Sequence, residues 1–341
     1  MNAPIDRRQC LALLAGAVVC MPAMAHLRSE RRFLFGSPIE LLLPTEAPQS
    51  LVDSVLGGLQ AINERWNAWK PGDVTALNQA FRTGRSAAAT PALRALIRNA
   101  AWLEHRSLGC FNAGIGGLVG EWGFHADELG PGTRPSGAEL ARWALAHPSL
   151  AQIEIRGDQV ASRNPRLQLD FGGIAKGAAL DAALDQLCAQ GVGDALLNLG
   201  GNLAAMGHAG SAAGARPWTV GIRDPTSPGL LATLQTQGRE AVVTSGSYER
   251  FRVLDGERCS HILDPRQEVS ALELVSVTVV HCSATLADAA ATALLVAGPE
   301  RWRVIADRLG VDNVVVVDRH RKVTMTPRLA TRLRLHAPDR A

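Results

Sequence analysis

The sequence has few cysteines, and none of them is arranged as a metal-binding motif. Of its six cysteines, Cys10 and Cys20 lie near the N-terminus, and there is no CxxC pair and no cluster with histidine. The other four are Cys110, Cys188, Cys259 and Cys282. This spacing excludes a zinc finger and an iron–sulfur site. It leaves open whether one disulfide forms in an oxidising compartment or whether the thiols stay free and buried.

A strong charge and the common phosphate-binding motifs are also absent. The net charge of the 341 residues is only +3, so we expect no nucleic-acid partner. Neither GxGxxG nor GxxxxGK[ST] occurs, which excludes the dinucleotide fingerprint and the Walker loop. No repeat or low-complexity block is visible, and the 47% hydrophobic and 20% charged content is that of a globular protein.

The first 25 residues have the pattern of a cleaved export signal. The stretch MNAPIDRRQCLALLAGAVVCMPAMA contains the pair Arg7-Arg8, an apolar run over 10–21 and a small-residue cleavage motif ending at Ala25. The apolar run is too short for a permanent membrane anchor. We therefore expect export to the periplasm, by the twin-arginine or the Sec route. The bulky residue before Cys20 argues against lipidation.

The remaining chain, residues 26–341, contains patterns of both helices and strands. Apolar spacing, caps and flanking prolines predict helices over 50–69, 90–107, 137–148, 174–190, 286–298 and 299–310. Short apolar runs predict strands over 38–44, 151–157, 159–163, 166–173, 195–201, 218–222, 240–246, 248–256, 274–280 and 313–318. Helices dominate the first part and strands the second, and the two are interleaved, which predicts an α+β fold in one large domain.

A glycine-rich turn, LQLDFGGIAKGAALD over 167–181, is the first candidate for chemistry. Glycines let the backbone approach an anion, and the start of a helix that carries Lys176 favours negative charge. The alternative is a tight strand–helix turn in which Lys176 only meets solvent.

The second candidate is the segment SATLADAAATALLVAG. Asp288 and Thr292 are four residues apart, so on a helix they share one face and can bind one ion. A carboxylate and a hydroxyl are hard oxygen ligands that suit Mg²⁺. The alternative is a structural role for both residues. Asp288 would interact favourably with the helix dipole, and the Thr292 hydroxyl would hydrogen-bond to the backbone of its own helix.

The third candidate is His261, which we place on an otherwise apolar strand after the polar turn at Thr244–Gly246. An imidazole near a magnesium-bound phosphate is the base that a hydroxyl nucleophile needs. A single histidine is also common as a purely structural group.

Together these features make the chain similar to the ApbE family of FAD:protein FMN transferases. The matching segments, in order, are WKPGDVTALN, FNAGIGGLVGEWGF, LDFGGIAKGAALD, NLGGNLAAMG, WTVGIRDP, TSGSYERF, HILDP and ADAAATALLVAG. They extend from about residue 33 to 318. The resemblance implies an ApbE-like (T-fold-like) fold that binds FAD and Mg²⁺ in the periplasm. It also implies transfer of FMN to a threonine of an acceptor flavoprotein in a membrane or periplasmic electron-transfer chain, with release of AMP.

The resemblance also implies roles for individual residues. It assigns Mg²⁺ to the side chains of Asp288 and Thr292 and the carbonyl of Gly173, and it assigns the catalytic base to His261. It assigns binding of the flavin nucleotide to Phe35, Trp69, Cys110, Phe111, Asn112, Asp170, Lys176 and Ile262. Trp69 stands where a tyrosine is common, and remains a flat ring able to stack on a cofactor.

The chain departs from the family pattern at several positions. The departures are Asn112 for an aspartate, the neighbouring Ala113, Asn202 for an aspartate, Gln267-Glu268 for Thr-Gly, and Ala291 where some relatives have a further aspartate. The last one could lower the affinity for Mg²⁺.

Two other functions use the same residues. Water in place of the acceptor threonine would make the enzyme a Mg²⁺-dependent FAD pyrophosphatase. A periplasmic protein that carries FAD without reacting is the third reading, and the presence of Asp288, Thr292 and His261 argues against it.

Overall fold

A long antiparallel sheet is the central element of the fold. The computed structural model describes residues 17–19, 26–130, 132–210 and 215–336. The predicted export signal lies outside these residues except for Ala17–Val19, which form a short strand. The helices are α1 (Gln49–Arg65), α2 (Asp73–Arg82), α3 (Pro91–Arg106), α4 (Gly116–Glu121), α5 (Gly137–Ala146), α6 (Ala175–Ala189), α7 (Ala284–Leu309) and α8 (Pro327–Ala330), with a 3₁₀ turn at Leu150–Gln152.

The strands fall into one large sheet and several small ones. They are β1 (Ala17–Val19), β2 (Leu27–Leu34), β3 (Ser37–Pro44), β4 (Ala87–Ala88), β5 (Ile153–Arg156), β6 (Gln159–Ser162), β7 (Ala195–Leu199), β8 (Asn202–Met206), β9 (His208–Ala209), β10 (Arg216–Pro217), β11 (Thr219–Arg223), β12 (Leu230–Gln235), β13 (Glu240–Gly246), β14 (Phe251–Leu254), β15 (Glu257–Ser260), β16 (Leu263–Asp264), β17 (Val269–Ser270), β18 (Leu274–His281), β19 (Val314–Asp318), β20 (Val323–Met325) and β21 (Arg334–Leu335). The large sheet has the order β2-β3-β7-β8-β13-β18-β19-β20, and a second sheet has the order β1-β11-β12-β21.

The fold has three layers, because the large sheet carries apolar side chains on both of its faces. In β13, Val243 packs into the core under the helices, whereas its neighbour Val242 packs into the core under the second sheet. In β7, Leu197 and Leu196 divide in the same way. Successive side chains of a strand point to opposite faces, so a strand covered on both sides is apolar throughout. The mixed architecture confirms the predicted α+β class.

Most predicted elements are present, and their differences from the structure have local causes. Thr90 caps α3 as predicted, with its hydroxyl accepting a hydrogen bond from Leu93 N–H at 3.3 Å. Helix α1 ends at Arg65 rather than continuing to residue 69, because the Asn67 side chain accepts hydrogen bonds from two following N–H groups at 2.8 Å each. The two helices predicted over 286–298 and 299–310 are present as the two halves of α7, which the non-helical backbone of Gly298 (φ 76°, ψ 177°) separates just before Pro299.

The strand predicted over 166–173 is wrong. This segment makes only an isolated bridge between Gln168 and Ile115. The Asn78 side chain binds both backbone groups of Leu169, at 2.6 and 2.9 Å, in place of a neighbouring strand. The segment Ala113–Gly116, which it meets, turns at once into α4, so no ladder can extend.

Two further expectations concern thiols and membranes. The four cysteines in the described part of the chain, Cys110, Cys188, Cys259 and Cys282, are all free, so no disulfide forms among them. Among the described helices, none combines the length and apolar character needed to cross a bilayer.

Helices α6 and α7 pack closely enough that one glycine is required between them. A Cβ on Gly177 would lie 2.2 Å from the Ala284 carbonyl oxygen and 2.8 Å from Asp288 Cβ. The Asp181 carboxylate of α6 also accepts hydrogen bonds from the first N–H groups of α7, Ala284 and Thr285, at 2.9 Å each. These contacts fix the position of the first turns of α7 against the start of α6.

We expect Gly177→Ala to destabilise the protein by about 1–3 kcal/mol, because the added methyl group must push two helices apart. The matched control is Gly57→Ala in α1, where an added Cβ meets nothing within 4 Å. That change should stabilise by about 0.4–1 kcal/mol through the unfolded chain. Urea unfolding of the two variants measures the difference, and equal stability would contradict the packing described.

Candidate active site

The carboxylate of Asp288 lies at the contact between α6 and α7. The backbone N–H of Gly177 donates to its Oδ2 at 2.8 Å, and the side-chain amide of Asn202 donates to its Oδ1 at 2.9 Å. Asp288 is only 3% exposed. Each carboxylate oxygen therefore has one protein donor and keeps a lone pair for a further partner.

Burial governs the charge of this carboxylate. Removal from water raises the pKa of Asp288, while the positive charge of Lys176 and the hydrogen bonds from Gly177 and Asn202 lower it; the net direction is upward. A buried carboxylate with a raised pKa is stabilised in its charged form by a bound cation.

Thr292 lies one turn further along α7 and faces the glycine-rich turn. Its Oγ1 is 3.2 Å from Ser245 Oγ of β13. A Cβ on Gly173 would lie 3.1 Å from the same Thr292 oxygen and 3.4 Å from the Phe111 ring. The structure thus brings Gly173, Thr292 and Asp288 together, as the spacing of Asp288 and Thr292 in the sequence indicated.

Asp170 begins the glycine-rich turn and is hydrogen-bonded to His125, a residue that no sequence motif indicated. Its Oδ1 accepts the Gly172 N–H at 2.8 Å, and its Oδ2 is 2.9 Å from His125 Nε2. Burial alone would raise the pKa of Asp170, but the hydrogen bond and charge of His125, with smaller contributions from Gly172 and His261, hold it below its usual value. Asp170 is therefore an anion within the site.

Lys176 is the cation among several buried acids. Its charge lowers the pKa of Asp288 and of Glu249. Burial nevertheless raises the pKa of Glu249 to about 7, and one of its carboxylate oxygens has no hydrogen-bond partner in the described part of the chain. Lys176 is half-buried, and its charge acts on these buried groups, which favours the anion-binding interpretation of the turn over the one in which Lys176 meets only solvent.

His261 lies in the turn between β15 and β16, not on a strand as expected. Its ring Nδ1 is 2.9 Å from the carbonyl oxygen of Arg250, whose oxygen also accepts the His261 N–H at 3.0 Å. A carbonyl only accepts, so Nδ1 carries the proton and Nε2 keeps a free lone pair. The Phe124 ring meets the imidazole edge-on, with centroids 6.4 Å apart.

The surroundings of His261 keep the imidazole neutral. Burial lowers its pKa to about 4; the charges of Lys176 and Arg250 act in the same direction, and the bond to the Arg250 carbonyl opposes them. A neutral ring with an accepting Nε2 is the form that can take a proton from a hydroxyl.

Two of the three aromatic residues predicted for the cofactor, Trp69 and Phe35, have different surroundings. Trp69 stacks on the His125 ring, with centroids 5.3 Å apart and planes at 23°. Phe35 lies in the turn between β2 and β3 at a φ of 53°, and its N–H donates to Asn63 Oδ1 at 2.9 Å. Among the described residues, no hydrogen bond or ring contact joins Phe35 to the Asp288 group.

Among the other predicted cofactor residues, Phe111 lies beside Gly173, where an added Cβ would meet its ring at 3.4 Å. Cys110 and Phe111 are buried, and Ile262 follows His261 with 7% exposure. The side chain of Asn112 binds backbone only, donating to the Pro148 carbonyl at 2.8 Å and accepting from Gly114 N–H at 2.7 Å. An asparagine suits this position because one side chain both donates and accepts.

The fold brings four further residues into the site that no sequence motif assigned to it. They are His125, Asn202, Ser245 and Glu249. Asn202 was noted only as a departure after the glycine pair, and Ser245 only as part of a turn. Nothing in the local sequence shows that Asn202 would bind Asp288, because the two residues are 86 positions apart.

The donor set fits a hard cation with an incomplete protein shell. In the described part of the chain there is no cluster of three or more histidine, cysteine, aspartate or glutamate residues that could hold a metal. One carboxylate, one threonine hydroxyl and a glycine backbone instead leave positions for water and phosphate oxygens, which is how proteins commonly bind Mg²⁺. The buried Asp288 carboxylate provides the negative charge that such an ion requires.

Comparisons with a family profile and with known sequences indicate the same family. The sequence profile of the ApbE family matches residues 35–315. The chain is 40% identical over 324 residues to an FAD:protein FMN transferase of Rhodobacter capsulatus, covering 94% of this chain and 61% of that protein. It is 34% identical over 239 residues to an FAD:protein FMN transferase of Treponema pallidum, covering 66% and 65%. The chain thus spans less than two thirds of the length of either relative.

Solved structures show the same fold. The chain superposes on the ApbE protein of Thermotoga maritima with a TM-score of 0.80 at 26% identity, covering 89% of this chain and 98% of that one. The apo form of the flavinyl transferase ApbE of Pseudomonas stutzeri gives a TM-score of 0.76 at 26% identity, covering 88% and 95%.

We expect the His261 imidazole to titrate with a pKa of about 4 in the ligand-free protein, compared with 6.5 for an ordinary histidine. Because the unfolded chain binds this proton more readily, His261 should lower the free energy of unfolding as the pH falls from about 6.5 towards 4. NMR titration of the ring measures the pKa, and the signal is assigned by its loss in His261→Gln. A midpoint near 6.5 would show that the ring is not desolvated.

Proposed function

This chain belongs to the ApbE family, and we propose that it transfers the FMN half of FAD to a threonine hydroxyl of an acceptor protein, releasing AMP. The observation that carries this proposal is the meeting of α6 and α7, where Asp288, Thr292 and the turn at Gly173 lie together. The names of its relatives support the same activity.

The proposed metal is Mg²⁺, bound by Asp288, Thr292 and the Gly173 carbonyl. When bound, the ion would neutralise the diphosphate of FAD and polarise the phosphorus that is attacked. Asn202 and Gly177 hold the Asp288 carboxylate in one orientation, so its free lone pairs have a fixed direction. Ser245 fixes the Thr292 hydroxyl in the same way.

His261 is proposed as the general base. Its Nε2 accepts the proton of the acceptor hydroxyl as the threonine oxygen bonds to the FMN phosphorus and the bond from that phosphorus to the AMP oxygen breaks. The Arg250 carbonyl keeps Nδ1 protonated and the ring oriented. Lys176, on the first turn of α6, would attract the phosphates and stabilise the charge that gathers on the leaving AMP.

The flavin nucleotide is proposed to bind between the aromatic residues Trp69 and Phe35 and the glycine-rich turn. Trp69 and Phe35 provide flat apolar surface for a ring, and Asp170 provides acceptor oxygens. Cys110, Phe111, Asn112 and Ile262 are proposed to line the wall behind Gly173. At the departures from the family pattern, the Asn112 side chain is hydrogen-bonded to Pro148 and Gly114, and the Asn202 side chain is hydrogen-bonded to Asp288.

We further propose that the protein is exported and acts in the periplasm. The support is the pattern of residues 1–25, with its arginine pair, apolar run and small-residue cleavage motif. The acceptor would then be a flavoprotein of a periplasmic or membrane electron-transfer chain, reached from the periplasmic side.

Asp288→Asn should abolish the Mg²⁺-dependent reaction, lowering the rate by at least about 100-fold, because a neutral amide cannot replace the charged ligand. The matched control is Asp307→Asn, an exposed carboxylate on the same helix, which should retain the wild-type rate. AMP release from FAD measures both variants. Wild-type turnover by Asp288→Asn would place the ion elsewhere.

The same assay separates transfer from hydrolysis. Purified protein, FAD and Mg²⁺ are mixed with and without a candidate acceptor. A covalent fluorescent acceptor band with equimolar AMP supports transfer. Free FMN and AMP at the same rate in both mixtures would show a pyrophosphatase, and retention of intact FAD in both would show a carrier; either result would overturn the proposal.

A further inference from the structure

We propose that His125 is a positioning residue of the flavin site, which holds the Trp69 ring and the Asp170 carboxylate in a fixed relation. The inference rests on the proposed function, because it assigns Trp69 and Asp170 to the binding of the flavin nucleotide. It adds a residue that neither the motifs of the sequence nor the metal geometry identified.

His125 makes one contact with each of the two residues. Its Nε2 lies 2.9 Å from Asp170 Oδ2, and its ring lies 5.3 Å from the Trp69 ring at an angle of 23°. The side chains of His125 and Asp170 are 18% and 13% exposed, so the hydrogen bond is mostly shielded from water. Since the anion Asp170 can only accept, His125 is the donor.

Arg250 holds the backbone on both sides of His125. Its guanidinium donates to the carbonyl oxygen of Phe124 at 2.9 Å and also to the carbonyl oxygen of Ala126. The same guanidinium lies 5.9 Å from the Trp69 ring centroid. The carbonyl of Arg250 in turn binds His261, so the segment that carries His125 is attached to the residue that orients the proposed base.

A second contact connects the segment that carries His125 with the turn that carries Trp69. Lys70, which follows Trp69, forms an ion pair with Asp127 at 2.6 Å. Both side chains are more than half exposed, so we assign little energy to this pair. The proposal rests instead on the hydrogen bonds of the Arg250 guanidinium and on the two contacts of the His125 imidazole.

The consequence for binding is geometric. Because His125 stacks on one face of Trp69, that face is closed to a flavin or adenine ring. The hydrogen bond to Oδ2 and the Gly172 N–H on Oδ1 together fix the plane of the Asp170 carboxylate. His125 thus acts through the two residues rather than on the reacting atoms.

Two variants separate the two contacts. His125→Phe keeps a ring to stack on Trp69 and loses the hydrogen bond, whereas His125→Gln keeps an N–H donor and loses the ring. The control is His208→Gln, an exposed histidine of β9. FAD binding to the full-length protein is measured at equilibrium without Mg²⁺ or acceptor, followed by kcat and KM for FAD and by the Tm of each variant.

We expect His125→Phe to weaken FAD binding about tenfold, the scale of a lost charge-assisted hydrogen bond. His125→Gln should weaken it by less but measurably, through the lost ring contact. In both, the KM for FAD should rise while kcat at saturating FAD and the Tm stay close to wild type. In an Asp170→Asn background, His125→Phe should have a much smaller further effect, because the anion that it held is gone.

Three results would overturn the inference. The first is wild-type affinity for FAD in both variants. The second is a lower kcat, or a Tm loss that accounts for the weaker binding. The third is tighter binding in both variants, which would mean that His125 occupies the place of the cofactor ring. If the wild-type protein binds no FAD at all, the proposed function fails, and this inference fails with it.

Discussion

The hydrogen bond from the Gly177 N–H to the Asp288 carboxylate is the contact on which the rest of the site depends. It joins the first turn of α6 to the second turn of α7, and it forms only because residue 177 has no side chain. The Asp181 carboxylate binds the start of α7 from the next turn of α6. Two helices that come from distant parts of the chain therefore present one rigid surface, on which Thr292 lies beside the glycine-rich turn.

Burial of these groups away from water gives each charge a large effect. Burial lowers the pKa of His261 to about 4 and raises that of Glu249 to about 7, and it raises that of Asp288. Lys176 acts on all three groups. A site with the cations Lys176 and Arg250 near buried carboxylates and a neutral imidazole suits a diphosphate that arrives with a metal ion, since the metal complements the carboxylates and Lys176 complements the phosphates.

Local pattern was sufficient for most of the longer elements, although not for α2 (Asp73–Arg82), and for residues that are close in sequence. The helical spacing of Asp288 and Thr292 predicted their common face, and Thr90 marked the start of α3. The pattern failed where tertiary contacts replaced a ladder, as Asn78 does for Leu169, and where an edge strand such as β2 has no apolar alternation. It could not find His125 or Asn202 as partners of Asp170 and Asp288, because those hydrogen bonds join residues 45 and 86 positions apart.

The position of the divalent ion tests the account most directly. Crystals of the protein with FAD and Mn²⁺, a cation that takes the same oxygen ligands and gives an anomalous signal, would locate it. The account predicts one anomalous peak at about 2.0–2.3 Å from oxygens of Asp288 and Thr292 and in contact with the diphosphate. A peak bound to the diphosphate but distant from the first turns of α7 would contradict it.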